Sequence, residues 1–192
     1  MTMSFGKMKI MMIAVIMMIS LLPSVFAQEQ QQQGWQTFID PTLGIKLIYP
    51  ENLMKVVDSA GRSYEIIIDI PDENPLTQFT VNIKRDTSGG TITPQDIVDG
   101  YLEILGPALA DFRVLERSST SIVVAGVPAE KLVYTFFTDS VAGEKVHVYH
   151  TSTYIVAIKD GNIYQFDYTV YSSDYDRLLP TFEKMLQSVV IE

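Results

Sequence analysis

Apolar and polar residues alternate with period two along most of the chain from Trp35 onward, and two stretches change to a helical period. Trp35–Ile39 predicts a strand closed by the turn-forming run Asp40-Pro41-Thr42-Leu43-Gly44. Ile45, Leu47 and Tyr49 alternate with Lys46 and Ile48 until Pro50 stops a second strand, and Leu53–Val57 continues extended. Tyr64–Ile70 sets Ile66, Ile68 and Ile70 against Glu65, Ile67 and Asp69. Pro71-Asp72-Glu73-Asn74-Pro75 is loop, bracketed by two prolines. Phe79, Val81 and Ile83 then oppose Thr80, Asn82 and Lys84, a half-buried strand.

The first helix starts at Thr93-Pro94-Gln95-Asp96. Threonine caps, proline suits the first helical position, and an acid in the first turn meets the positive end of the helix dipole. Ile97, Val98, Tyr101, Leu102 and Leu105 form its apolar stripe, and Gly106-Pro107 is expected to end it. Phe112–Glu116, Ser121–Ala125, Ala129–Thr138 and Val146–Ile158 follow as strands, divided by Ser118-Ser119, Gly126-Val127-Pro128 and 140–143. Leu132–Phe137 is apolar on both parities, which predicts cover on both faces.

Lys159-Asp160-Gly161-Asn162 predicts a two-residue hairpin turn. Pairing Lys159 with Asn162 fixes the register, because opposite residue numbers then sum to 321. One face carries Ala157, Ile155, Thr153 and Thr151 opposite Tyr164, Phe166, Tyr168 and Val170. The other carries His150, Ser152, Tyr154 and Val156 opposite Tyr171, Thr169, Asp167 and Gln165.

Tyr175, Leu178, Leu179, Phe182, Met185, Leu186, Val189 and Val190 step by three and four, a second helix from Asp174 to about Val190 with Pro180 inside it. Its stripe should pack on the aromatic hairpin face, burying Phe182 and Leu186 against Tyr164, Phe166 and Tyr168. The order of elements predicts an α+β domain, an antiparallel sheet flanked by helices.

Residues 1–27 follow a different pattern. Lys7 and Lys9 are their only charges, Ile10–Leu22 is apolar except for Ser20, and Val25-Phe26-Ala27 supplies a small-residue cleavage site after Pro23-Ser24. This is the pattern of a secretory signal peptide, and its apolar run is shorter than the ~20 residues a spanning helix wants. The alternative is an uncleaved anchor from Ile10 to Ala27. Residues 28–34, glutamine-rich and without apolar positions, form a spacer, and residues 35–192 form the domain.

Composition narrows the chemistry. An apolar fraction of 47% is enough for a core. The absence of cysteine removes disulfides, thiolate metal centres, a cysteine nucleophile and a lipidated N-terminal cysteine. Net charge is −9, and cleavage after Ala27 leaves 12 basic against 23 acidic residues, which argues against nucleic acid and anionic lipid as partners.

Gly44-Ile45-Lys46-Leu47-Ile48-Tyr49-Pro50-Glu51-Asn52-Leu53 resembles the opening of the PsbP-like family, the extrinsic photosystem II proteins and their prokaryotic relatives, with Leu53 where the family usually has tryptophan. Gly126-Val127-Pro128-Ala129 resembles its turn between strands. Ile163-Tyr164-Gln165-Phe166 and Phe182-Glu183-Lys184-Met185-Leu186-Gln187-Ser188 resemble its terminal strand and helix. The resemblance spans residues 35–191. It implies an α/β/α sandwich and a non-enzymatic, extrinsic role with a protein partner at the outer face of a membrane. No residue matches a family metal ligand, and the glutamine spacer has no counterpart to the plant proteins' docking extension.

No phosphate-binding loop, nucleophile elbow, zinc-protease helix or dinucleotide glycine pattern occurs. His150 and Asp167 share a face, but four residues of strand separate them, about 13 Å, too far for an acid–base dyad. His147 and His150 fall on opposite faces. Asp69, Asp72, Glu73 and Asn74 offer oxygens for Ca²⁺ or Mn²⁺, or are solvated turn residues. His150, Ser152, Tyr154, Gln165, Asp167 and Thr169 form the face that would hold a ligand or partner. Such polar groups are costly to bury without partners, so that face is either wet, specifically satisfied or covered by the first helix.

Overall fold

Ten strands and two helices account for the regular structure among the residues that the computed structural model describes, which are 34–41, 44–51, 55–57, 63–69, 78–141 and 144–192. The chain divides into units Met1–Trp35 and Gln36–Glu192, and the second contains the elements discussed below except Trp35 at the start of the first strand. In chain order these are β1 (Trp35–Asp40), β2 (Ile45–Pro50), β3 (Lys55–Val57), β4 (Ser63–Asp69), β5 (Gln78–Arg85), α1 (Pro94–Ala108), β6 (Ala110–Val124), β7 (Val127–Val141), β8 (Glu144–Lys159), β9 (Asn162–Tyr171), α2 (Tyr175–Gln187) and β10 (Val190–Ile191). A seven-stranded sheet runs β3-β4-β5-β9-β8-β7-β6, and a three-stranded sheet runs β1-β2-β10. The pairings seen are antiparallel, so the domain is α+β as the element order predicts.

The β8–β9 hairpin has the register that the Asp160-Gly161 turn dictates. Lys159 pairs with Asn162, Ala157 with Tyr164, Ile155 with Phe166 and Tyr154 with Asp167. Asp160 and Gly161 have φ of 50° and 74°, the two positive values that let a two-residue turn follow the twist of its strands. Ala125 and Gly126, at φ 50° and 82°, close β6 onto β7 in the same way. The turn therefore lies one residue earlier than Gly126-Val127-Pro128, and Val127 and Pro128 belong to β7.

Side chains on the aromatic face of the large sheet form one core. Phe79, Val81 and Ile83 of β5 and Tyr164, Phe166, Tyr168 and Val170 of β9 are buried, as are Ile45, Leu47 and Tyr49 of β2 and Leu178, Phe182 and Met185 of α2. Phe182 stacks on Tyr168 with centroids 4.8 Å apart and meets Phe79 at 5.3 Å. Leu186 is only half-buried, contrary to the periodicity. Met185 takes the inward place because it follows Leu178 and Phe182 at i+7 and i+3, which leaves Leu186 on the flank of the buried stripe. Ser188 fixes that turn, donating to Met185 O at 2.6 Å and accepting from the Ile48 amide at 2.9 Å. Val190 and Ile191 then pair with Lys46 and Ile45, a strand that the helical spacing of Val189 and Val190 conceals.

Two further boundaries differ from the sequence pattern. Pro107 lies in the last turn of α1 rather than beyond it. Ser118-Ser119 does not divide two strands. Register shifts between Ala110 and Arg113, Val114 and Glu116, and Ser118 and Ile122 absorb the irregularity within one β6.

Candidate functional site

The opposite face of the large sheet carries the chemistry, and α1 covers part of it. Thr93 and Asp96 form a reciprocal cap at its start. Val98 is fully buried in a cluster with Leu132, Tyr134, Tyr154 and Val156, and Ile97, Tyr101, Leu102 and Leu105 pack around it. Leu132, Val133 and Tyr134 are all buried, so β7 is covered on both sides as its doubly apolar run predicts. The Tyr101 ring lies on the Tyr154 ring with centroids 4.0 Å apart and planes 15° from parallel. Arg117 of β6 ties the helix down further, donating to Asp99 and to the buried Glu130, each at 2.7 Å.

Where α1 ends its cover, a cleft of about 630 Å³ opens over β5, β9, β8 and β7. Gln78, Thr80, Asn82 and Lys84 line it from β5, and Gln165, Asp167 and Thr169 from β9. Tyr154, Tyr134, Phe136, Thr138 and Tyr101 complete its wall. Period-two geometry puts the β5 and β9 residues on one face, and the β5–β9 register places Thr80 opposite Asp167 and Asn82 opposite Gln165.

Two directed hydrogen-bond chains meet at Asp167. Tyr101 Oη donates to Oδ2 at 3.2 Å, and Tyr134 Oη lies 3.1 Å from Tyr101 Oη. Because the single hydroxyl proton of Tyr101 is committed to the carboxylate, Tyr134 is the donor to Tyr101. Thr169 Oγ1 donates to Oδ1 at 2.9 Å, and Ser152 Oγ stands 2.5 Å from Thr169 Oγ1, which makes Ser152 the donor there. Gln165 Nε2 donates to Tyr154 Oη at 2.7 Å.

Burial pushes the Asp167 carboxyl up to about 6, partly offset by the hydrogen bonds from Thr169 and Tyr101. Burial, and then the Asp167 charge, raise Tyr134 to about 12 and push Tyr101 and Tyr154 higher still. The arrangement can hold a polar solute against aromatic rings. Its acid accepts hydrogen bonds from the hydroxyls of Tyr101 and Thr169.

The six residues of the expected face are brought together on one side of the hairpin but divide between two environments. Gln165, Asp167, Thr169 and Tyr154 line the cleft. His150 and Ser152 are fully buried beneath it, so they present nothing to a ligand. His150 Nε2 is 2.8 Å from Thr138 Oγ1, its ring stacks on Phe136, and burial lowers its pKa below the ordinary histidine value. Tyr154 is 4% exposed, so replacing it disturbs the core as well as the cleft. His147 points the other way, exposed and 3.1 Å from Asp139, as the strand parity requires.

The residues added to this face are Tyr101, Tyr134, Thr138 and the polar row of β5. The alternation of Thr80, Asn82 and Lys84 was visible in sequence, but their neighbour β9 lies more than seventy residues away, and local patterns carry no signal for that pairing. Asp72, Glu73 and Asn74, together with the side chain of Asp69, lie outside the described residues. Among the described residues no group of three or more acidic or histidine side chains is placed to hold a metal ion, and no helix is long and apolar enough to cross a membrane.

No family model matches the sequence, and no curated protein matches it. The fold has matches among solved structures. A cyanobacterial PsbP (CyanoP) from Synechocystis sp. PCC 6803 superposes with a TM-score of 0.60 at 16% identity, covering 83% of this chain and 93% of that one. A protein from Bacteroides thetaiotaomicron gives 0.50 at 14% identity over 84% of this chain and 49% of its own. LpqN of Mycobacterium tuberculosis, described as involved in cell envelope biogenesis, gives 0.48 at 17% identity over 81% and 89%. The chain has the PsbP-like fold.

Proposed function

We propose that this PsbP-like chain is a non-enzymatic binding module that acts outside the cytoplasm, as an extrinsic accessory protein at the outer face of a membrane. The observation that carries the reading is the cleft over β5 and β9. A row of polar side chains is left open there between aromatic walls, while the opposite face of the same sheet is closed by α2 and β2. Polar groups retained at a concave, partly desolvated site fit recognition better than solvation alone. The leader-like residues 1–27, the acidic balance and the absence of cysteine support an exported protein that reaches its partner through protein contacts rather than lipid.

The test is capture of a membrane complex by immobilised protein. Asn82→Trp fills the cleft from a half-buried position and should lower recovery by roughly tenfold, about 1.4 kcal/mol of binding, while the melting temperature stays near that of the wild type. Recovery at the wild-type level from a folded Asn82→Trp protein would remove the cleft from the binding surface. N-terminal sequencing of the native protein tests export, with Gln28 the expected first residue.

A further inference from the structure

Two acceptors on the floor of the cleft keep unused lone pairs among the described residues. An ionised carboxylate offers about four lone-pair sites, and Asp167 uses two, for Thr169 and Tyr101. Asn82 Oδ1 is buried and has no hydrogen-bond partner among the described residues. Asn82 stands two residues from Thr80, the register partner of Asp167, on the same face of β5, so Asn82 and Asp167 are diagonal neighbours across the β5–β9 pair.

Among the described residues no cationic side chain is paired with Asp167. Tyr101, Tyr134 and Tyr154 face it from α1, β7 and β8, and none is cationic. The backbone of Lys84 is four residues along β5 from Thr80, about 13 Å, and that of His150 is equally far along β8 from Tyr154. A desolvated carboxylate without a counter-ion is costly, and a cationic ligand supplies what the fold leaves out.

We propose that the cleft binds a primary ammonium group, its N–H donors directed at Asp167 and Asn82. The proposal rests on the reading of the cleft as the binding site and adds the class of ligand. A bare Ca²⁺ ion fits less well, because Asp167 is the one acidic residue lining the cleft among the described residues and Ca²⁺ takes six to eight oxygens.

Calorimetry and amide chemical-shift mapping on the exported protein test this with two matched probes, 2-phenylethylamine and its neutral counterpart 2-phenylethanol. At pH 7.5 the amine should bind roughly tenfold or more tightly than the alcohol and shift the resonances of Thr80, Asn82 and Asp167. At pH 5.0 the advantage should disappear, because Asp167 titrates at about 6 while the amine stays charged. Asp167→Asn should remove the preference. Should that variant not fold, Thr80→Lys sets a tethered ammonium opposite Asp167, and it should abolish amine binding and lower the Asp167 pKa.

Equal binding of amine and alcohol overturns the ammonium assignment and leaves the cleft as a site. Amine binding unchanged in folded Thr80→Lys, or displaced from the cleft by CaCl₂ at equal concentration, overturns it too. If neither probe perturbs the cleft the assignment also fails, and capture by Asn82→Trp judges the site separately.

Discussion

Tyr101 of α1 lies flat on Tyr154 of β8, with ring centroids 4.0 Å apart, while its hydroxyl donates to Asp167 on β9 at 3.2 Å. One side chain thus seats the helix and holds the acid at the edge of the cleft. Tyr101→Phe keeps the stack and deletes a hydrogen bond to a charged group, which should cost about 1.5–3 kcal/mol at pH 7.5. It should also raise the Asp167 pKa above about 6, since the Tyr101 bond lowers it. Carboxyl titration by NMR checks this, and a pKa that stays put or falls would show that the bond does not stabilise the anion.

The α2 face is the keel of the opposite core. Phe182→Ala should cost about 3–5 kcal/mol in denaturant unfolding, since it empties the space between Tyr168 and Phe79. Leu186→Ala, at a half-buried position, should cost clearly less. Equal losses at the two positions would contradict the packing.

Arg117 is the counter-ion of Glu130, which is 2% exposed. Arg117→Met should destabilise by about 3–5 kcal/mol, because it strands a buried charge. Adding Glu130→Gln should recover a large part of the loss. A double variant no better than the single one would place the cost in lost packing instead.

Stability should respond to pH through two opposed groups. His150 has a folded pKa below its ordinary value, so its contribution is complete above about 6.5 and is lost as pH falls below that. Asp167 has its folded pKa raised to about 6 from 3.8, so the folded state takes up the proton first and stability from this group rises as pH falls between those values. Thermal melts of wild type and Asp167→Asn at pH 7.5 and 4.5 separate the two. The variant should compare more favourably with wild type at pH 7.5 than at pH 4.5. The reverse ordering would mean that Asp167 is stabilised as the anion.

Much of this arrangement is legible in the sequence where the signal is local. Asp160-Gly161 sets the β8–β9 register to the residue, Thr93-Pro94-Gln95-Asp96 starts α1, and the parity of the hairpin places Tyr154, Gln165, Asp167 and Thr169 on one face. What is not legible depends on distant partners. The pairing of β5 with β9 supplies Thr80 and Asn82 to the cleft, Phe136 and Thr138 of β7 and Tyr171 of β9 close around His150, and the return of Val190–Ile191 to β2 ends the last helix early. Gly44 belongs to that return. At φ 60° its carbonyl accepts from the Glu192 amide at 2.8 Å, and a Cβ there would stand 2.9 Å from the Glu192 carbonyl oxygen.

The account turns on which face of the large sheet meets a partner. Cross-saturation NMR of the labelled protein bound to the captured membrane complex reads that face residue by residue. The account predicts saturation centred on Gln78, Thr80, Asn82, Gln165 and Thr169, and its loss in Asn82→Trp. Saturation centred on the exposed residues of β6, such as Val114, Leu115 and Val123, with the cleft silent, would contradict it.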